Sequence, residues 1–263
     1  MTASQYGNEG TPFLRHASVS QSAGPDLSLR SHMTVDLMQH MGNDSMVVAA
    51  ARVSTNPEIA EMARTAHTAE EHAGLINYLM GHRHGTPFEH GALTVRVEAP
   101  IFVFREWHRH RAGWSYNEMS GRYSQLEPVF HIPGADRPLV NAGTSARPKM
   151  VPGSSEQYAR LVSRMRDAYR FSYAAYLRAL DDAVAKEVAR EVLPVGIYST
   201  MYATCNMRSA MHFLSLRIYD PDATFPSKPQ YEIAQAASLL EQHFAGLFPI
   251  TYEAFLKAGR VAP

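Results

Sequence analysis

The period of the hydrophobic pattern changes several times along the chain, and each change marks an element. Residues 33–38 alternate apolar and polar positions, which predicts a first strand. Residues 44–53 read as a helix with Asp44 or Ser45 near its N-cap, since either side chain can accept from the free N–H groups of a first turn. A second helix is expected over residues 68–80, where Ala73, Leu75, Ile76 and Leu79 form an apolar stripe. The run His82-Arg83-His84-Gly85-Thr86-Pro87 breaks it. Leu93, Val95 and Val97 alternate with polar partners and predict a half-buried strand ending at Pro100. A short helix over residues 101–111, a polar and aromatic loop over 113–123 and a strand over 128–132 follow.

Residues 133–153 carry four prolines and three glycines and read as a loop excursion within one domain. From Ser154 the pattern turns helical: Tyr158, Leu161, Val162, Met165, Tyr169, Tyr173, Tyr176, Leu177 and Leu180 keep i, i+3, i+4 spacing. Ser154 and Gln157 have the spacing of a capping box. Helices are also expected over residues 183–193, stopped by Pro194, over 206–217 and over 230–247. No internal repeat is visible. Helices outnumber a few separated strands, which predicts the α+β class. Residues 1–30, rich in Ser, Gly, Pro and Gln, read as a mobile leader, and 31–263 as a single domain.

Composition narrows the function classes. The chain has 263 residues, and its 25 Lys and Arg balance 25 Asp and Glu. No global field therefore attracts nucleic acid or an anionic membrane, and only local clusters can bind anions. A single cysteine, Cys205, excludes an internal disulfide framework and a multi-cysteine metal site. The N-terminus is polar and no apolar run reaches membrane-helix length, so a cytoplasmic setting with no membrane partner is expected.

The densest chemistry is Arg109-His110-Arg111 followed by Ser115 to Tyr123, a loop with Asn117, Glu118, Met119, Ser120, Gly121 and Arg122. Guanidinium forks hold phosphate or a planar imide through paired hydrogen bonds, and glycines let backbone approach a ligand. The bland alternative is a solvated basic helix end, which would need neither Trp114 nor Tyr116. A second cluster comprises Arg190, Asn206, Arg208, His212 and Arg217. Arg208 and His212 share a helix face, and Asn206 can cap that helix or meet a phosphate. Arg217 lies on an apolar helix, where the structural alternative is an ion pair with Glu187 or Glu191. The histidines at 82, 84 and 90 lack the rigid spacing of a metal site, and no metal is expected. Cys205 sits in an apolar stretch that should bury it as an inert thiol.

These motifs resemble the signature of flavin-dependent thymidylate synthases. The resemblance runs from about Met33 to Phe255 and includes Ala51-Arg52-Val53-Ser54, Gly85-Thr86-Pro87-Phe88-Glu89-His90, Ala189-Arg190-Glu191-Val192-Leu193-Pro194 and Asn206-Met207-Arg208-Ser209 through to Arg217. It implies an antiparallel sheet with flanking helices, a catalytic domain, and a homotetramer whose sites form where subunits meet. It implies that FAD contacts His84, Thr86, Arg109, His110, Arg111, Glu118, Asn206, Met207, Arg208 and His212. The nucleotide would be held by Glu106, Trp107, His108, Arg109, Glu118, Met119, Ser120, Gly121, Arg122, Arg190 and Arg217, with Arg217 polarising the uracil ring as the catalytic group. The implied reaction is reductive methylation of dUMP at C5, with NADPH and methylenetetrahydrofolate as co-substrates. The sequence departs from the family pattern in a signature loop one residue longer, Ala112 to Met119, in Glu106 where a Gln is common, and in the segment from Asp220 to Tyr231. Two competing readings are a UMP C5-methylase of the same family and a flavin- or RNA-binding module without catalysis.

Overall fold

The computed structural model describes residues 25–54, 58 and 69–263. Residues 1–24 of the expected leader, and Thr68 at the expected start of the second helix, lie outside the described residues. The elements begin with β1 (Ser28–Arg30), β2 (Thr34–Met41), α1 (Asp44–Arg52), α2 (Ala69–Gly81) and a 3-10 turn (Thr86–Glu89). Next come β3 (Ala92–Pro100), α3 (Ile101–Trp107), β4 (Trp114–Glu118), β5 (Val129–His131), β6 (Val140–Asn141) and β7 (Met150–Val151). The long helix α4 (Ser155–Asp181), the short α5 (Lys186–Ala189) and a second 3-10 turn (Arg190–Val192) lead into β8 (Tyr198–Asn206), α6 (Met207–Arg217), α7 (Tyr231–Leu247) and α8 (Pro249–Lys257).

The main sheet has four strands in the order β2-β3-β8-β4, all antiparallel. Its central partner to β3 is β8, which the sequence reading passed over. Tyr198, Met201, Ala203 and Cys205 are buried along it. The segment is rich in Tyr and Thr, a strand preference, and Met201, Ala203 and Cys205 form its buried face while Thr200, Tyr202 and Thr204 lie on the more open one. β4 was read as loop. Its five polar-looking residues pair with β8 from Trp114 opposite Cys205 to Glu118 opposite Met201. β3 matches its expected span, with Leu93, Val95 and Val97 facing the core.

Other boundaries shift for local reasons. α3 ends at Trp107, and the His110 N–H folds back to the Trp107 carbonyl at 3.0 Å, so the Arg-His-Arg triplet is a turn. The expected helix over 183–193 is cut to α5 and a 3-10 turn after Ala183 adopts a left-handed φ of 60°. The excursion over 133–153 contains the β6–β7 hairpin. Ser28–Arg30, placed in the leader, pair in parallel with β5. Asp44 does not cap α1, whose N-cap is Asn43; its carboxylate accepts from the Ile250 and Thr251 N–H groups, each at 2.9 Å, and so caps α8.

A large apolar cluster packs one face of the sheet, through Leu93, Val95, Val97, Met201, Ala203 and Cys205, against α1, α2, α3, α6, α7 and α8. A smaller one lies under α4. The Ser154–Gln157 capping box forms as expected, and α4 then runs 27 residues. Its tyrosines serve the 126–133 loop: Tyr173 OH donates to the Leu126 carbonyl at 2.9 Å and Tyr169 OH to the His131 carbonyl at 2.8 Å. The apolar stripe thus carries polar tips that satisfy two carbonyls flanking or ending β5. Among the described residues no helix is long and apolar enough to cross a membrane.

Candidate active site

Three segments meet at one end of the sheet: the start of β3, the start of β4 and the end of β8. Trp114 stands opposite Cys205, and Ala92 opposite Asn206. Asn206 then caps α6, accepting from the Ser209 N–H at 2.8 Å, and the Ser209 hydroxyl donates to the Ala112 carbonyl at 2.8 Å. Gly113, at φ +66°, turns the chain from the triplet into β4; a Cβ there would clash with Ser209 Oγ. This frame encloses a cleft of about 670 Å³, a usual size for a small-molecule or cofactor site. Arg109, His110, Arg111, Asn206, Arg208 and His212 all line it. Six of the residues assigned to the flavin are therefore brought together from two distant stretches of sequence.

The cleft's charge is unevenly satisfied. Arg208 donates to Glu89 Oε1 at 2.7 Å and to the Pro263 carbonyl oxygen at 2.6 Å, and its guanidinium lies where a Cβ at Gly85 would fall. Arg109 and Arg111 are exposed and have no ion pair or hydrogen bond among the described residues, so both guanidinium groups are free to meet an anion in the cleft. Burial pushes the His212 pKa down, helped by Arg208 and Arg83. Glu89, on the first 3-10 turn, lines this cleft, while Thr86 and Pro87 of the same turn line a neighbouring one of about 590 Å³ with Ala51, Arg52, Ser54 and His84. His84 and Thr86 thus stand on the far side of that turn from the other flavin candidates.

Beside the first cleft, Arg217 is held at three points. Its Nε donates to His110 Nε2 at 3.0 Å, one terminal nitrogen to Glu106 Oε2 at 2.7 Å and the other to the Glu106 carbonyl at 3.0 Å. The expected ion pair is present, but its carboxylate is Glu106, not Glu187 or Glu191. Accepting at Nε2 requires a neutral imidazole, and burial, then Arg217 and His212, push the His110 pKa down to about 4. Tyr116 OH fixes the same turn by donating to the His110 carbonyl at 2.6 Å. Each terminal nitrogen of Arg217 keeps one N–H beyond these bonds, so the guanidinium retains donor capacity for an imide oxygen or a phosphate.

The second group of candidates lies at the opposite end of β4 and β8. A cleft of about 200 Å³ is lined by Glu118, Met119, Gly121 and Arg190, together with Arg105 and Ser199, which the sequence reading missed. The remaining nucleotide candidates are elsewhere. Trp107 is fully buried, packed against Phe213 and edge-on to Trp114, so it supports the first cleft from behind. His108 packs edge-on to Tyr116. Ser120 Oγ accepts from the Arg122 N–H at 3.3 Å, and Arg122 pairs with Glu187 at 2.7 Å on the surface. Met207 is buried in the space that Gly91 leaves by lacking a Cβ. Cys205 is buried, and burial pushes its thiol pKa up, so no thiolate nucleophile is available there.

Comparison with known proteins places the chain in a family. The model of the family described as "Thymidylate synthase complementing protein" matches residues 36–250. A flavin-dependent thymidylate synthase of Streptomyces coelicolor is 52% identical over 239 residues, covering 91% of this chain and 97% of that protein. The chain belongs to the flavin-dependent thymidylate synthase family. A more distant member, from Thermotoga neapolitana, is 41% identical over 85% of this chain and 90% of its own. Among solved structures, a UMP/dUMP methylase, PolB, from Streptomyces cacaoi bound with 5-Br UMP superposes with a TM-score of 0.84 at 44% identity, covering 91% of this chain and all 100% of its own. The same protein bound with 5-Br dUMP gives a TM-score of 0.85 at 45% identity, covering 90% of this chain. The fold is therefore that of this family, and the chain is a flavin-dependent enzyme of this type.

Proposed function

We propose that the chain catalyses reductive methylation of dUMP at C5 to dTMP, with FAD as flavin, methylenetetrahydrofolate as one-carbon donor and NADPH as reductant. The observation that carries this reading is the pair of arginine-lined clefts, each holding guanidinium groups with no protein partner. FAD would be held by Arg109, His110, Arg111, Asn206, Arg208 and His212 in the first cleft, with His84 and Thr86 contributed from the neighbouring one. The unpaired cations and the helix N-terminus of α6 suit a dinucleotide with a pyrophosphate. When bound, FAD supplies the hydride chemistry that no side chain here can supply.

The protein's own work is binding and electrostatics. Arg190 and Gly121 hold the nucleotide in the second cleft, with Glu118 and Met119 lining its rim. Arg217, fixed by Glu106 and neutral His110, stabilises negative charge on the uracil imide and so raises nucleophilicity at C5.

The two clefts have no lining residue in common. Ser199 lines one and Asn206 the other, seven residues apart on β8, which is about 23 Å at a strand rise of about 3.3 Å per residue. Group transfer needs reacting atoms within about 3–3.5 Å. That separation supports shared sites in a homotetramer, where Arg190 of one copy and Arg217 of another serve one nucleotide. A cytoplasmic setting and one catalytic domain over residues 31–263 complete the proposal.

The test is product analysis with dUMP and UMP in parallel, supplying FAD, NADPH and methylenetetrahydrofolate. Formation of dTMP that stops when any one component is omitted supports the reading. A flavoprotein that binds nucleotide but turns over neither substrate overturns it, and turnover of UMP alone moves the activity to ribonucleotides.

A further inference from the structure

Helix α3 separates the two halves of the site by its own periodicity. Ile101 and Arg105 are i, i+4 and share a face, and both line the second cleft. Glu106, one residue on, points its carboxylate to Arg217. Arg105 and Arg190 are the cations of the second cleft, and neither has an ion pair or hydrogen bond among the described residues. Glu118 is the one carboxylate in that lining, so the cleft keeps an excess positive charge. Its remaining walls are largely apolar: Ile101, Leu126, Leu193, Val195 and Ile197. Arg105 itself is exposed at the cleft's edge, with these apolar walls on one side of it.

Ser199 supplies the second, independent sign of a ligand. The residue is only 5% exposed, lines the cleft, and its Oγ is buried with no hydrogen-bond partner. It sits on β8 opposite Ala99, so its backbone is committed to the ladder while its hydroxyl is left over. A buried hydroxyl normally finds a partner and this one has none, although the residue also lines a neighbouring cleft with Glu98, Glu127 and Thr200.

We propose that Arg105 and Ser199 complete the phosphate subsite of the nucleoside monophosphate. Arg105 and Arg190 act as two guanidinium clamps on the 5′-phosphate, and the Ser199 hydroxyl donates to one of its oxygens. The inference rests on the assignment of this cleft to the nucleotide. Arg105 acts on affinity for the phosphate group, not on the chemistry at C5.

The experiment measures dissociation constants of dUMP and of deoxyuridine, which lacks the phosphate, for the flavin-loaded protein and for Arg105→Gln, Arg105→Lys, Arg190→Gln and Ser199→Ala, with bound-flavin absorbance and melting temperature as checks on folding. Arg105→Gln is expected to weaken dUMP binding at least about tenfold, the scale of a hydrogen bond to a charged group, and to leave deoxyuridine within about twofold. Arg105→Lys recovers part of that loss, and Ser199→Ala costs about three- to tenfold on dUMP alone. If Arg190→Gln weakens dUMP tenfold while Arg105→Gln does not, Arg105 is outside the subsite and the cleft assignment stands. If both leave dUMP unchanged, the cleft assignment itself falls. Equal losses for dUMP and deoxyuridine overturn the phosphate role.

Discussion

The grip of Glu106 on Arg217 can be tested by removing one partner at a time. Arg217 is 15% exposed and Glu106 37%, with 2.7 Å between the charged atoms. An exposed pair contributes about 0–1 kcal/mol, and stripping one partner from a fully buried pair costs about 3–5 kcal/mol. With one partner nearly buried and the other only partly, Glu106→Ala should cost about 1–2 kcal/mol. The backbone carbonyl of residue 106 and His110 still hold two points of the guanidinium. If that cost falls on the placement of Arg217, kcat/KM for dUMP drops about 5- to 30-fold, at about 1.4 kcal/mol per tenfold. Glu106→Gln keeps an oxygen acceptor and loses only charge assistance, so its loss stays under about fivefold. The decisive measurement is a double-mutant cycle: in an Arg217→Ala background, Glu106→Ala should have no further effect. Losses that simply multiply would mean that Glu106 meets the nucleotide directly, and the positioning argument would fail.

The other predictions concern the frame. Gly113→Ala forces a non-glycine residue to φ +66° and sets its Cβ against Ser209 Oγ; it should lower the melting temperature and the bound flavin together, by at least about 1 kcal/mol of stability. Asn206→Ala removes the α6 cap and should cost about 1 kcal/mol in urea unfolding, with weaker flavin retention. The depressed pKa of His110 has a definite sign. The unfolded imidazole takes up a proton near pH 6.5, the folded one only near 4, so this group's contribution to stability falls as pH drops between those values. Relative to His110→Gln, the parent should lose about 1 kcal/mol between pH 7 and 5 after allowing for partial exposure; a parallel pH dependence in the two proteins would contradict the assignment.

How much of this was legible beforehand depends on how local the cause is. The Ser154–Gln157 box and the strand at Leu93, Val95 and Val97 are short-range signals, and both appear where expected. β8 escapes a local reading because its partners, β3 and β4, lie about a hundred residues upstream, and the small residues Ala203 and Cys205 on its buried face make its period of two faint in the sequence. Asp44 was misread because its carboxylate serves α8 rather than the helix it begins. At the site, chemistry-bearing residues were recognised by type and order, and six of them converge on one cleft. Ser199 and Arg105 escaped notice because a serine in a strand and an arginine in a short helix carry no sequence mark; only an unpartnered hydroxyl and an unpaired guanidinium, seen in place, set them apart.

The antiparallel pairing of β4 with β8 also explains why recognition had to be collective. The segment from Arg109 to Gly121 starts at one end of the sheet and finishes at the other, because β4 runs the length of that pairing between them. A single short motif therefore feeds both clefts, its arginines and histidine to one end and Glu118, Met119 and Gly121 to the other. The segment from Arg190 to His212 makes the same journey along β8 in the opposite direction. Each end of the sheet so receives one contribution from each segment, and neither segment can be moved, lengthened or re-registered without disturbing both clefts. The pairing between Trp114 and Glu118 has no bulge, so any difference in length over 112–119 would fall at an end of β4, where Gly113 supplies a left-handed turn.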